Sequence, residues 1–129
     1  MSGLLLDTHA FLWYASNDSK LLPSIRDRIQ SEPGQVCLSI VSAWEIAIKV
    51  RLGKLRSAEE LVGDFSVRMD REGFEELPIS ADDAIRAGLL PAHHSDPFDR
   101  MLIAQAQAGS IPIVTNERAF DVYGVRRLW

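Results

Sequence analysis

The sequence predicts an α/β domain built around a parallel sheet. Short apolar runs alternate along the chain with segments that have helical periodicity and helix-capping residues. The 129 residues suit a single domain, so we assign residues 1–129 to one folding unit. With 47% hydrophobic and 25% charged residues, the composition is that of a globular protein and excludes a disordered chain.

The predicted strands are the short apolar runs. In chain order they cover residues 4–6, which end at Asp7, then 36–40, a weaker run at 74–77, then 111–115 and 125–129. Because helical segments lie between them, crossover connections are predicted, and crossovers join parallel strands. Ligands of parallel sheets bind beyond the carboxyl ends of the strands, so functional side chains are expected at that edge.

Helices are predicted where a serine or aspartate suited to N-capping precedes a periodic apolar segment. In chain order the predicted capping pairs and N-caps are Ser42 with Glu45, Ser57 with Glu60, Ser80, and Asp96 followed by Pro97. Gly53 and Gly109 are predicted to end the first and the last of these helices.

Cysteine usage and hydropathy restrict the class of protein. Cys37 is the only cysteine, which excludes an intramolecular disulfide, and its apolar neighbours predict a buried thiol. We therefore expect a reducing, cytoplasmic setting. No apolar run approaches the roughly 18 residues of a membrane span, so no membrane partner is expected.

The net charge of −4 gives no overall basic footprint for nucleic acid. The charge is segregated, however, and one basic stretch contains no acid: Lys49, Arg51, Lys54 and Arg56. A solvated helix end and a phosphate-contacting patch are the two open interpretations of this stretch.

Carboxylates follow the predicted strands at the edge where ligands are expected. They are Asp7, Glu45, Asp96, Asp99 and Glu117. Converging carboxylates repel one another and are costly to bury unless they are protonated or hold a cation. An all-oxygen set suits Mg²⁺ or Mn²⁺ rather than zinc, and such a cation can orient a phosphodiester for hydrolysis.

The same acids have structural interpretations, which stay open at this point. Ser42 and Lys49 would both engage Glu45, and positions in the first turn of a helix account for Asp96, Asp99 and Glu117. Asp7 is the exception, since an unpaired carboxylate that ends a buried strand needs a partner.

The histidines and the early aromatic residues are given structural roles. The histidines lack zinc-motif spacing, so His9 is expected to pack locally, and His93 and His94 to lie in a solvated loop rather than on a phosphate. Phe11, Trp13 and Tyr14 are predicted to be helix core rather than a base-stacking platform.

The segments that carry the acids also match a known set of motifs. They are residues 5–9 (Leu-Leu-Asp-Thr-His), 42–49 (Ser-Ala-Trp-Glu-Ile-Ala-Ile-Lys), 96–106 (beginning Asp-Pro-Phe-Asp-Arg) and 114–117 (Val-Thr-Asn-Glu), with residues 123–125 and 128–129 at the end. In this order and spacing the chain resembles the PIN-domain ribonucleases, specifically the VapC-type toxins of VapBC toxin–antitoxin modules. The resemblance implies a three-layer α/β/α sandwich with a central parallel sheet and an Mg²⁺- or Mn²⁺-dependent endoribonuclease.

The resemblance also implies roles for the acids. Asp7, Glu45 and Asp99 match the three principal acidic positions of the family, with Asp7 and Asp99 as the main metal ligands. Glu45 would be a ligand directly or through water. Glu117 stands where the family often has a fourth catalytic acid, usually Asp, and would reach the metal through water.

Supporting residues and partners follow from the same resemblance. Thr8 and Asn116 would orient water or phosphate, and Asp96 would be the N-cap that positions Asp99. The implied reaction is hydrolysis of RNA by a metal-activated water, without a histidine or lysine base, leaving 5′-phosphate and 3′-hydroxyl ends. The implied partners are a second copy of the chain and a VapB-type antitoxin. The apolar residues Phe11, Leu12 and Trp13, with the helix near residues 61–65, have two open interpretations: a groove for the antitoxin and ordinary core.

Two alternatives remain at the level of the sequence. One is a non-enzymatic PIN-like binding module without a metal site, which the presence of Asp7, Glu45 and Asp99 disfavours. The other is a different metal-dependent phosphoryl-transfer enzyme. His9 stands where a haloacid-dehalogenase-type phosphatase has its second aspartate, which disfavours this alternative.

Overall fold

The computed structural model describes residues 3–55 and 58–129, which form helical layers on both faces of a five-stranded sheet. The strands are β1 (Gly3–Leu6), β2 (Gln35–Ser39), β3 (Glu75–Leu77), β4 (Ile113–Val114) and β5 (Arg127–Leu128). The helices are α1 (Thr8–Ala15), α2 (Pro23–Gln30), α3 (Ile40–Arg51), α4 (Glu59–Gly63), α5 (Phe65–Glu72), α6 (Ala81–Leu89) and α7 (Pro97–Gly109). A 3-10 helix spans Arg118–Tyr123.

The sheet is parallel throughout, as predicted, and its strand order is β3-β2-β1-β4-β5. β1 lies at the centre, where Leu5 is in register with Cys37 of β2 and with Ile113 of β4. Since all the strands run in one direction, their carboxyl ends meet at one edge of the sheet.

Two apolar clusters cover the two faces of the sheet. Successive side chains of a strand point to opposite faces. Accordingly, Leu4 and Leu6 pack into one cluster with Phe11, whereas Leu5 packs into the other with Phe120. All three leucines of β1 are fully buried, so the central strand is uniformly apolar up to its last residue.

Local capping rules predict some helix starts correctly and misplace one. Ser80 and Asp83 form a capping box at α6, and Asp96 is the N-cap of α7 with Pro97 as its first residue. The predicted box of Ser42 with Glu45 is wrong. α3 begins at Ile40 with Ser39 as its N-cap, so Ser42 lies inside the helix.

The middle of the chain differs most from prediction. The helix predicted after the pair Ser57 and Glu60 is interrupted at Asp64 and continues as α5 to Glu72, and α2 has no predicted counterpart. Ser57, the predicted partner of Glu60, lies outside the described residues. The predicted strands at 111–115 and 125–129 shorten to two residues each.

The burial of the thiol agrees with expectation. Cys37 is a buried free cysteine in β2. Across residues 3–55 and 58–129, no helix has the length and apolar character needed to cross a membrane.

The close approach of β1 and β2 at Gly3 generates a stability prediction. Gly3 has φ +147°, and a Cβ there would lie 2.5 Å from the carbonyl oxygen of Gln35. We expect Gly3→Ala to lower the free energy of unfolding by about 1–3 kcal/mol, measured by urea denaturation. Gly88→Ala is the matched control, because a Cβ in that helical position meets nothing within 4 Å and favours the helix. Equal stabilities of the two variants would contradict the prediction.

Candidate acidic site at the carboxyl edge of the sheet

Asp7 is placed by the end of the central strand. It follows β1 directly and is the N-cap of α1, where its Oδ1 accepts a 2.7 Å hydrogen bond from the backbone N–H of Ala10. Its exposed fraction is only 5%. Burial raises the pKa of Asp7, although hydrogen bonds from the Thr115 hydroxyl and the Ala10 N–H oppose that rise. The hydrogen bonds to the Asp7 carboxylate thus offset only part of the cost of burying its charge.

Glu45 is fully engaged by protein groups. The Thr8 hydroxyl donates to its Oε1 at 2.7 Å, and the Lys49 ammonium donates to its Oε2 at 2.6 Å. Ser42, one turn into α3, lies 2.9 Å from the Thr8 hydroxyl and completes the network. The expected pairing with Lys49 is confirmed, and Thr8 joins α1 to α3 at the sheet edge.

Asp99 is held in the first turn of α7 by its neighbours. Its backbone N–H donates to Asp96 Oδ1 at 3.0 Å, so the expected role of Asp96 as the N-cap is confirmed. Its Oδ2 lies 2.8 Å from Nε2 of His94. Burial raises the pKa of Asp99 to about 6, and the charges of Asp96 and Glu45 act in the same direction, while His94 opposes them.

His94 was missed by the sequence interpretation. It was expected in a solvated loop, but its ring is half-buried and bonds Asp99. His93 is exposed, as expected, and its ring packs on Tyr123. No local spacing rule identifies His94, since it lies five residues before Asp99 in irregular chain. The His-His pair directly ahead of the Asp-Pro turn was the one signal available. His9 packs on Trp13, as predicted.

Glu45 is the electrostatic link between Asp7 and Asp99. The charge of Glu45 raises the pKa of both Asp7 and Asp99, so Glu45 lies within electrostatic range of each aspartate. Glu117 is exposed and caps the 3-10 helix, where it accepts from the N–H of Ala119 at 3.3 Å.

Glu117 is connected to the end of β4 by its backbone. Its N–H donates to the Thr115 hydroxyl oxygen at 3.0 Å, and the charge of its side chain raises the pKa of Arg127. Asn116 is exposed beside Glu117. Their catalytic and supporting roles stay predictions.

The donor chemistry of the site suits a hard divalent cation. Among the described residues, no three His, Cys, Asp or Glu side chains are close enough to hold a metal together. Mg²⁺ needs no such cage, because it is commonly bound by one or two carboxylates and completes its shell with water and substrate phosphate. Asp7 and Asp99 supply hard oxygen donors of that kind, while the occupied oxygens of Glu45 favour an indirect role for it.

A separate groove lies between α1, α4 and α5. It has a volume of about 490 Å³, and its lining includes Leu12, Trp13, Leu61, Val67, Arg68 and Arg71. None of the acidic-site carboxylates lines it. Phe11 is fully buried in the core, as the helix-core prediction required, and so is not part of this surface.

A family comparison identifies the domain. The model of the PIN domain matches residues 4–125, which covers all the elements of the acidic site. A search of curated proteins by sequence gives no significant match.

Solved structures share the fold at low sequence identity. The structure of VapBC2 from Rickettsia felis bound to a promoter DNA fragment has a TM-score of 0.72 at 15% identity, over 98% of each chain. FitAcB from Neisseria gonorrhoeae has a TM-score of 0.64 at 18% identity, over 98% of this chain and 96% of the other. VapC20 of Mycobacterium tuberculosis, described as a Sarcin-Ricin loop cleaving toxin, has a TM-score of 0.66 at 16% identity, over 95% of each chain.

The raised pKa of Asp99 generates a pH-dependent stability prediction. Its folded-state pKa of about 6 exceeds its ordinary value of 3.8, so ionisation costs stability as pH rises between these values. We expect Asp99→Asn to raise the free energy of unfolding of the cation-free protein by about 2 kcal/mol at pH 7. At pH 4, where Asp99 is protonated in the folded protein, that gain should be largely absent. Urea denaturation in EDTA at both pH values measures it.

Asp121→Asn is the control for this prediction. Arg127 lowers the pKa of Asp121, so this acid contributes stability above its ordinary pKa and loses it on acidification. The two substitutions should therefore have opposite signs at pH 7. A loss of stability in Asp99→Asn at pH 7 would show that its charge is compensated.

Proposed function

Because the chain belongs to the PIN-domain family, we propose that it is a divalent-cation-dependent endoribonuclease and the toxin of a VapBC-type toxin–antitoxin module. The observation that carries the proposal is the group of acids at the carboxyl edge of the sheet. Asp7 is buried at the end of β1, the adjacent Thr8 bonds the buried Glu45, and Asp99 lies in the first turn of α7. The names of the similar structures support it: one is a loop-cleaving toxin, and others are toxin–antitoxin complexes.

Each acid has a distinct part in the proposed reaction. Asp7 and Asp99 would hold Mg²⁺ or Mn²⁺, which supplies charge neutralisation of the phosphodiester and an acidified water. Asp7 is fixed by the N-terminus of α1, and Asp96 fixes the backbone of Asp99. Glu45 orients Thr8, whose hydroxyl is then set at the edge of the site.

The basic stretch after Glu45 is the proposed contact for the RNA backbone. Lys49 is partly exposed and shares α3 with Glu45, and Arg51 and Lys54 are exposed just beyond it. Arg56, the fourth member, lies outside the described residues. Cationic side chains next to an acidic site bind phosphate without reading sequence.

The groove between α1, α4 and α5 is the proposed seat of the antitoxin. It combines apolar side chains, among them Leu12 and Val67, with charged groups of both signs. These are Lys20, Arg68, Arg71, Asp18, Glu60 and Asp64. An amphipathic helix that lays its apolar face into the groove and carries charges of both signs on its flanks has complementary chemistry. Val67 is 53% exposed, so a buried partner would remove substantial apolar surface from water there.

A second copy of the chain is the proposed partner of the outer face of α3. Ile40 and Trp44 lie one turn apart on that helix, Leu52 is its C-cap, and Trp44 and Leu52 are more than half exposed. Trp44 also packs edge-on against Phe98, which extends the apolar surface to α7. Sedimentation of a 14.4 kDa monomer at micromolar concentration would contradict this pairing. The cytoplasm is the proposed compartment, on the strength of the free thiol of Cys37.

Substitution of the two proposed ligands tests the nuclease. We expect Asp7→Asn and Asp99→Asn each to lower Mg²⁺- or Mn²⁺-dependent RNA cleavage by about 100-fold or more, because each removes a ligand charge. The Asn side chain retains the cap on α1 in the first variant. Cleavage of total RNA, followed by sequencing of the new ends, measures the effect, and EDTA should abolish wild-type activity.

Asp82→Asn is the matched control, since Asp82 is exposed on α6. It should cleave RNA at the wild-type rate. Undiminished cleavage by folded Asp7→Asn or Asp99→Asn would overturn the assignment of the site. A wild-type protein that binds no divalent cation would support the binding-module alternative instead.

Introducing a charge at one residue of the groove tests whether the antitoxin binds there. We expect Val67→Glu to weaken relief of growth arrest by the product of a neighbouring open reading frame, since it places a charge in the apolar lining. Its RNA cleavage should be unchanged. Leu89→Glu, at a position that is 80% exposed on α6 and outside the groove, should leave relief intact. If growth arrest by Val67→Glu and by Leu89→Glu is relieved equally, the antitoxin binds outside this groove.

A further inference from the structure

The loop between α6 and α7 is fixed by backbone hydrogen bonds on both sides of His94. The backbone N–H of His94 donates to the Tyr123 hydroxyl oxygen at 2.9 Å, and that hydroxyl donates to the carbonyl of Pro91 at 2.6 Å. The carbonyl of His94 accepts from Nη1 of Arg100 at 3.0 Å. His94 is therefore held at both of its backbone polar groups.

Arg100 ties the whole loop to α7. Besides the His94 and Pro91 carbonyls, its guanidinium bonds the carbonyls of Ala87, Gly88 and Leu90. These acceptors include the C-terminal carbonyls of α6, which lack partners within the helix. Since Arg100 directly follows Asp99, the position of His94 is set relative to the same helical turn that carries Asp99.

The imidazole of His94 engages one oxygen of Asp99. Nε2 of His94 lies 2.8 Å from Oδ2 of Asp99. The imidazole ring also packs against the ring of Phe120, with 6.2 Å between the two ring centroids. Oδ1 of Asp99 accepts no hydrogen bond from the part of the chain that the structure describes. One contact thus fixes the rotation of the carboxylate and leaves its second oxygen available.

We propose that His94 is a positioning residue that orients the Asp99 carboxylate for a divalent cation. This inference rests on the proposed function. In metal sites, a residue that hydrogen-bonds one oxygen of a ligand carboxylate holds that carboxylate in the orientation in which its other oxygen can bind the metal. His93 is the internal contrast, because its ring packs on Tyr123 and has no hydrogen bond to an acid among the described residues.

Cation affinity without RNA is the decisive measurement. In calorimetric titration of the purified chain with Mn²⁺, we expect His94→Ala to bind about 10- to 100-fold more weakly than wild type. His94→Gln should recover most of the affinity, because its amide N–H can replace the Nε2 donor. His93→Ala should bind like wild type. In RNA cleavage, His94→Ala should need more Mn²⁺ but approach the wild-type kcat at saturation.

If His94→Ala fails to fold, ¹⁵N NMR of the histidine side chains tests the contact between His94 and Asp99 instead. In the cation-free protein, Asp99→Asn should shift the Nε2 ¹⁵N resonance of His94 and leave that of His93 unchanged. An unshifted His94 resonance would overturn the contact itself.

The outcomes separate this inference from the proposed function. If wild type binds no Mn²⁺, the cation-dependent function fails and the positioning role fails with it. If wild type binds and His94→Ala binds equally well, only the positioning role fails. A loss of kcat at saturating Mn²⁺ that Gln does not restore would also overturn it, and would show His94 acting on the RNA.

Discussion

The burial of carboxylate charge at the carboxyl edge of the sheet is the constraint on which the rest of the site depends. β1 is apolar and fully buried to its last residue, and Asp7 follows it without a spacer. Chain continuity therefore places a charge where water is largely excluded. The N-terminus of α1 and the Thr115 hydroxyl offset only part of that cost, since burial remains the largest influence on the pKa of Asp7.

The cost of burying charge is compensated to different extents at Asp7, Glu45 and Asp99. Glu45 is matched by Thr8 and Lys49, so it serves as a structural bridge as well as a source of negative potential. Asp99 has one oxygen bonded by His94 and retains a raised pKa. An acid with only a structural role would be expected to have the compensation seen at Glu45. The incomplete compensation of Asp7 and Asp99 costs stability, and a bound cation would recover it. That asymmetry is the physical argument against a binding module without a metal site.

The sequence predicts those features that depend on neighbours in the chain. Short apolar runs predict the parallel sheet, and the Asp-Pro dipeptide predicts the start of α7. The start of α3 was wrong because two serines, Ser39 and Ser42, satisfy the same capping preference, and only the end of β2 selects the first. The partner of Asp99 was missed for a different reason. His94 is placed by Arg100 and Tyr123, and the latter comes from a distant segment, so no local pattern encodes the contact.

The same distribution of charge is compatible with the proposed action of an acidic chain on RNA. The net charge of −4 averages an acidic edge with a basic stretch that begins on the same helix as Glu45. Without a cation, the carboxylates repel a phosphodiester from the edge where hydrolysis would occur, while Lys49 is retained by Glu45. A bound divalent ion would offset most of the negative charge of Asp7, Glu45 and Asp99 and weaken the hold of Glu45 on Lys49. Under the proposed function, RNA affinity at the acidic edge would then depend on cation occupancy, and the net charge of −4 would restrict binding of RNA elsewhere on the surface.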